Sequence, residues 1–289
     1  MTLVSLDDTS QHVAGAGGST RTRRAPRPGA LSLGSGIGLG VGMVWFSLLV
    51  LIPLSAVVVK AQSGGWDGYW DTITNAQTWA AIKLTVQHSV MVTLLNIVMG
   101  TLIAWVLVRD HFFGKRALEV VIDVPFALPT IVAGLVLLSL YGPRSPIGVN
   151  VANTEKAVFL ALAFVTVPFV VRTVQPVLEE LELEVEEAAA SLGASRFTTF
   201  RRVVLPSLAP AIGAGAALSF ARAISEYGSL VLLSGNLAMR TEVTSVRILT
   251  YIENGNTAAA AAVASTLLLI ALIVIVLVDI IQRRVARRG

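Results

Sequence analysis

The chain has 289 residues, 54% of them hydrophobic and only 14% charged, with 22 basic against 18 acidic side chains and a net charge of +4. Soluble domains carry about 25% charged residues, so this balance excludes a disordered chain, a coiled coil and an ordinary soluble enzyme. A mean hydropathy of +0.74 and the absence of cysteine leave a polytopic membrane protein without a disulfide framework, a thiolate metal site or a cysteine nucleophile.

In chain order, residues 1–36 form a polar tail with Arg21, Arg23, Arg24 and Arg27, without apolar period and expected to be disordered. Ile37–Val59 is the first uncharged apolar run. Leu54-Ser55-Ala56 imitates a signal cleavage site, but the run is longer than the roughly 7–15 residues of a signal core. Five more runs follow: Leu84–Val108, Ala117–Tyr141, Ala157–Val177, Val203–Ala221 and Thr257–Val278. About 20 helical residues cross the hydrocarbon core, so the pattern predicts an all-α protein of six transmembrane helices occupying 37–282, with a basic end at 283–289. The prolines Pro125, Pro129, Pro168 and Pro176 are expected either to interrupt spans three and four as a gate or simply to pack within them. Between spans, Trp66, Tyr69, Trp70 and Trp79 read as an interfacial belt, and Val243–Ile252 as an amphipathic helix.

Basic residues set the orientation. Fifteen lie in the tail, the 109–116 loop, the segment joining spans four and five, and the C-terminal end; five (Lys60, Arg144, Lys156, Arg240, Arg247) lie on the other side. This bias predicts that both termini are cytoplasmic. No repeat of 20–50 residues is visible.

The cytoplasmic segment 178–206 carries the strongest signal. Leu178, Leu181, Val185, Ala188 or Ala189, and Leu192 recur at helical steps, predicting one helix face with six glutamates around the rest. Gly193 stands where a left-handed C′ residue ends a helix. Ser195 can cap a second short helix, lined on one side by Phe197, Phe200 and Val204, and Leu205-Pro206 leads into span five. Two short helices and a tight glycine turn with exposed aromatics read either as a docking surface or as an ordinary connecting loop.

Glu187-Ala188-Ala189, three residues, Gly193, nine residues, Val203, one residue, Leu205-Pro206 matches the EAA motif of ABC-importer permeases, with valine for isoleucine as its one departure. The segments 123–130, 168–178 and 221–229, with Ser234-Gly235-Asn236, resemble the T-type permease subunits of bacterial sulfate/thiosulfate importers. Tyr227 stands where related molybdate and second-type sulfate permeases tend to have phenylalanine. The resemblance covers most of 40–282; the loop 142–156 is short for it and the tail long. It implies the type I permease fold in the bacterial cytoplasmic membrane and no catalytic site in this chain. Glu187, Ala188, Ala189, Gly193, Phe197, Phe200, Leu205 and Pro206 would couple to an ATPase. The implied partners are a second homologous permease, two ATPase copies that hold ATP and magnesium, an external sulfate-binding protein and membrane lipid, but no nucleic acid. Molybdate or tungstate transport is the nearest rival; a self-contained anion channel or carrier would need ionisable relays that the spans largely lack.

Candidates for the translocation path are Pro129, Thr130, Thr166, Arg222, Ser225, Glu226 and Tyr227. Arg222 and Glu226 share a helix face and either pair with each other or face a water-filled path. Ala211, Gly215, Ser219 and Ala223 make a small-residue face that permits close helix packing, and span five is read as a pore-lining or subunit-interface helix. Two motifs fail. Gly34, Gly36, Gly38, Gly40 and Gly42 fit no phosphate-loop register and are better read as a close-packing face, and Gly114-Lys115 lacks the rest of a Walker sequence. The three histidines are too scattered for zinc, and His88 is expected to be packed or interfacial.

Overall fold

The computed structural model describes residues 33–286, and all regular structure among them is helical. The chain divides into two compact units, Met1–Leu51 and Ile52–Gly289. The first contains α1 (Leu33–Phe46) and a π-helical turn, Ser47–Leu51. Residues 33–36, expected in the tail, are therefore helical, while the tail expected over 1–32 lies outside the described residues. The close packing expected of Gly34, Gly36, Gly38, Gly40 and Gly42 is not formed within this unit, since a Cβ on any of them would meet nothing within 4 Å.

The second unit opens with α2 (Ile52–Gln62) and α3 (Gly65–Thr74). On α3, Trp66 stacks on Tyr69 and Trp70 meets both edge-on; Trp66, Trp70 and Trp79 stay exposed, as an interfacial belt requires. Asn75 then caps α4 (Ala76–Arg109), its Oδ1 accepting from the amides of Gln77 and Thr78. Next come α5 (Lys115–Ala127) and α6 (Thr130–Tyr141). These replace the single third span of the sequence reading with a pair bent by 118°. The residue before a proline is pushed out of the helical region, and Leu128 accordingly sits at φ −87°, ψ 135° ahead of Pro129. Pro168 and Pro176, by contrast, lie inside an unbroken α7 (Glu155–Glu180).

The chain continues through α8 (Leu183–Ser191), α9 (Arg196–Thr199), a second π-helical turn (Phe200–Val204) and α10 (Leu205–Ile224). The last elements are α11 (Gly228–Leu233), α12 (Thr244–Glu253) and α13 (Thr257–Ala286), so the first residues of the expected basic end extend the final helix. Among the described residues, five helices are long and apolar enough to cross a membrane, and the α5–α6 pair makes a sixth crossing if it spans as one.

In the second unit α7 is the central post, packed between α4 and α10. A Cβ on Gly100 would lie 2.7 Å from the Val170 side chain, and one on Gly215 would lie 2.9 Å from Val170 Cα. With this close approach from both sides α7 continues unbroken through Pro168. Ala211, Gly215, Ser219 and Ala223 are all buried in this packing. The small-residue face of span five is thus buried against α7, the close helix packing expected of it. The expected amphipathic segment is α12, which packs on α4 and α13. The Thr244 amide donates to Thr85 Oγ1 at 2.9 Å, and the Tyr251 and Thr78 hydroxyls pair at 2.8 Å. His88 is buried with Nδ1 3.0 Å from the Leu84 carbonyl, the packed role expected of it.

Candidate coupling turn and charged helix break

The first site is the turn between α8 and α9. The Ala194 amide donates to the Ala189 carbonyl at 3.1 Å and the Gly193 amide to the Ala190 carbonyl at 2.9 Å. That pair of bonds is a Schellman termination, with Gly193 at φ +82°. Ser195 Oγ accepts from the Thr198 amide at 3.3 Å and so caps α9. Both caps follow the sequence reading.

The segment before the turn departs from it. No single helix runs from Leu178 to Leu192: α7 ends at Glu180, and α8 begins at Leu183 after a break. Leu178 is fully buried on α7, whereas Val185 is 42% and Leu192 89% exposed on the other side of the break. The apolar face thus splits into a core part and an open part. Arg109 Nη2 fixes the break by donating to the Leu181 carbonyl at 3.0 Å and to Glu186 Oε1 at 2.7 Å.

The aromatics divide too. Phe197 is 70% exposed, Phe200 packs edge-on against Trp105 with centroids 5.5 Å apart, and Val204 is wholly buried. Exposure thus falls along the segment from Phe197 to Val204, through the π-helical turn that begins at Phe200. Glu187, Ala188, Gly193 and Leu205 are exposed, while Ala189 and Pro206 are half-buried. The result is an open apolar knuckle of Val185, Leu192 and Phe197 at the end of the bundle that carries Arg109. No atom lies within 4 Å of a Cβ on Gly193, so the turn is free on its outer side.

The second site is the break after α10. Arg222 Nη2 lies 2.6 Å from Glu226 Oε2, with the Glu226 side chain 1% and the Arg222 side chain 28% exposed. The other carboxylate oxygen accepts from the Ser229 amide and hydroxyl, both at 2.8 Å. Ser245 donates to the Glu226 carbonyl at 2.7 Å. The buried carboxylate is thus charge-compensated by a guanidinium and accepts two hydrogen bonds on one oxygen, while Oε2 makes the ion pair without a hydrogen bond. Its cation keeps part of its surface open, which suits a group that meets an anion. Ser225 and Tyr227 are exposed beside it, and the Ser225 hydroxyl is turned back on the Ala221 carbonyl at 2.9 Å.

Pro129 and Thr130 come to the same place. A Cβ on Gly228 would run into Thr130 Oγ1 and lie 2.8 Å from the Ile131 amide nitrogen, so the start of α6 rests on the start of α11. Thr166 does not join them. It is buried on α7, donates to the Leu162 carbonyl at 2.7 Å and accepts from Asn96 Nδ2 at 2.7 Å. The same Asn96 amide donates to Ser219 Oγ at 3.0 Å, making a polar node that joins α4, α7 and α10.

Sequence reasoning passed over Asn96, Arg109 and Asp123. Asp123 receives a two-pronged ion pair from Arg172, at 2.7 and 2.6 Å, that ties α5 to α7. Arg109 and Arg172 had been counted only toward orientation. A polar side chain near the middle of an apolar run needs a partner, and that signal alone marks Asn96.

The model of the family described as "Binding-protein-dependent transport system inner membrane component" matches residues 96–287. The sulfate transport system permease proteins CysT of Salmonella typhimurium and Escherichia coli are each 45% identical over 218 residues, covering 73% of this chain and 79% of theirs. That of Synechocystis is 42% identical, covering 73% and 76%. Among solved structures, a bacterial alginate ABC transporter in complex with an alginate-bound periplasmic protein contains a similar fold, with TM-score 0.72 at 17% identity over 87% of this chain and 94% of that one. The MetNI methionine ABC transporter gives TM-score 0.53 at 18% identity over 74% and 98%. The chain is a multi-pass inner-membrane protein and belongs to the binding-protein-dependent transport system inner membrane components, the permease subunits of ABC importers.

Proposed function

We propose that the chain is a permease subunit that carries sulfate, and thiosulfate with it, into the cell. The observation that carries the substrate is the 45% identity to permeases named for sulfate, sustained over 218 residues. Both termini face the cytoplasm in this reading, in keeping with the 15-to-5 distribution of basic residues. A second, homologous permease completes a heterodimer. Two copies of an ATPase subunit hold ATP and magnesium, and an external binding protein delivers the anion. The knuckle of Val185, Leu192 and Phe197 around Gly193 enters the ATPase, and closure of the ATPase pair shifts the spans between outward- and inward-facing states. Arg222, held by Glu226, offers guanidinium donors to a tetrahedral dianion.

The test is uptake of labelled sulfate in a strain lacking its own permease and carrying this gene, with molybdate as competitor. Restored sulfate uptake that molybdate does not suppress is expected. Restoration of molybdate uptake without sulfate uptake overturns the substrate.

A further inference from the structure

Among its described side chains, the α8 helix has no buried residue. Two residues four apart at the end of α4 contact the α8–Gly193–α9 unit and the turn that follows it. Arg109 Nη2 reaches the α7–α8 link through the Leu181 carbonyl and α8 itself through Glu186. Trp105 meets Phe200 edge-on, just after α9, and lies 6.0 Å from the Arg109 guanidinium. Both arms of the turn are therefore gripped by neighbouring residues on one helix face.

The α4 helix is suited to carry motion. It runs 34 residues without a proline, a length of about 50 Å. Midway, Asn96 joins it to α7 and α10. At its far end Gln77 Nε2 donates to Glu242 Oε2 at 2.7 Å, and Thr85 bonds Thr244 beside α12. A displacement of α8 is thus connected through one rigid element to the opposite end of the second unit.

The Arg109–Glu186 pair also has room for a second state. The guanidinium holds the carboxylate through Nη2 alone, while Arg109 Nε is buried with no partner. Nε and Nη2 form one edge of the guanidinium fork, so the same pair can move from a single contact to a two-pronged one. A cleft of ≈ 400 Å³ lined by Arg109, Glu186, Ala190 and Phe200 leaves space for that shift.

We infer that Arg109, backed by Trp105, is the transmission residue that passes movement of the α8–Gly193–α9 turn into α4 and so to the far end of the bundle. The inference rests on the coupling reading above. Arg109 is a positioning residue, because it acts through Glu186 and touches no substrate.

The experiment compares Arg109→Gln, Arg109→Lys, Glu186→Gln, the Arg109→Gln/Glu186→Gln double variant and Gly193→Leu in the purified, membrane-reconstituted importer. Yield of assembled complex and ATPase rate with and without the binding protein are measured for each. Arg109→Gln and Glu186→Gln should each lower the ratio of stimulated to basal rate about fivefold or more, the low end of site-to-site coupling, at unchanged yield. The double variant should cost no more than either single one, and Arg109→Lys should stay within about twofold of the unmodified protein. An unchanged ratio in the Arg109 and Glu186 variants, while Gly193→Leu loses stimulation, overturns the inference and leaves the coupling reading standing. So does a proportional fall of yield and both rates, the mark of a merely structural pair. Full stimulation in Gly193→Leu overturns the coupling reading and the inference with it.

Discussion

The helix that runs from Arg196 to Ile224 is bounded by two breaks, and both use a glycine for opposite reasons. At the α8 end, Gly193 supplies a backbone angle: φ is +82°, and no atom lies within 4 Å of where a Cβ would stand. At the other end, Gly228 supplies space, because a Cβ would collide with Thr130 and the Ile131 amide. One break is an open knuckle with Leu192 and Phe197 in full view; the other is a closed joint around a buried carboxylate. A turn that must receive another protein can leave its apolar groups uncovered until that protein arrives. A joint that buries a charge must compensate it from its own chain, as Arg222 and Ser229 do for Glu226. The same span thus ends in an open surface on one side and a self-packed joint on the other.

Mutations at the closed joint should destabilise the permease most. Glu226→Ala leaves Arg222 without its counter-charge and the Ser229 amide and hydroxyl without their acceptor. Removing one member of a fully buried pair costs about 3–5 kcal/mol; with Arg222 partly exposed, about 2–3 kcal/mol is expected. Thermal unfolding in detergent measures this, and a loss no larger than that of a surface substitution would break the contrast. Gly228→Ala comes next. Its Cβ meets backbone rather than a flexible side chain, so about 1–3 kcal/mol of overpacking is expected, again read from thermal unfolding. The smallest effect belongs to the open knuckle. Gly193→Ala places a side chain in the left-handed region at a cost of about 1 kcal/mol, confined to an exposed turn. Hydrogen exchange of the Ala194 amide should rise while the unfolding temperature hardly moves. A fall in that temperature as large as for Gly228→Ala would show that the knuckle is built into the core after all.

The two breaks were not equally legible in the sequence. The knuckle is written in local chemistry: a glycine two residues before a serine, with capping bonds that span five residues or fewer, announces a helix end and a helix start. The bend at Pro129 is local as well, because proline restricts the residue before it. What escaped depends on distant partners. Leu181 ends α7 where its carbonyl meets Arg109, 72 positions away, and no periodicity in 178–192 carries that information. Pro168 lies in the same kind of apolar run as Pro129 yet leaves α7 intact, where Gly100 and Gly215 let two helices close on Val170. Six apolar runs were enough to foresee the layout of the spans, but not which proline would bend one. Arg222 and Glu226 could be paired from their spacing; the Ser229 and Ser245 donors that complete the joint lie beyond the helix and could not.

The π-helical turn at Phe200–Val204 has a consequence for how the motif is counted. An extra residue in a helix advances everything beyond it by about 100° around the axis. The residues between Gly193 and Leu205-Pro206 therefore act as an angular setting as well as a spacer. They clock the knuckle against the span so that Phe200 meets Trp105 while Val204 turns to the core. Loss of one residue from this turn would keep every letter of the motif and rotate the knuckle away from the face that Arg109 and Trp105 grip. Here the length between the two signals is itself a structural instruction, fixing direction where the letters fix only shape.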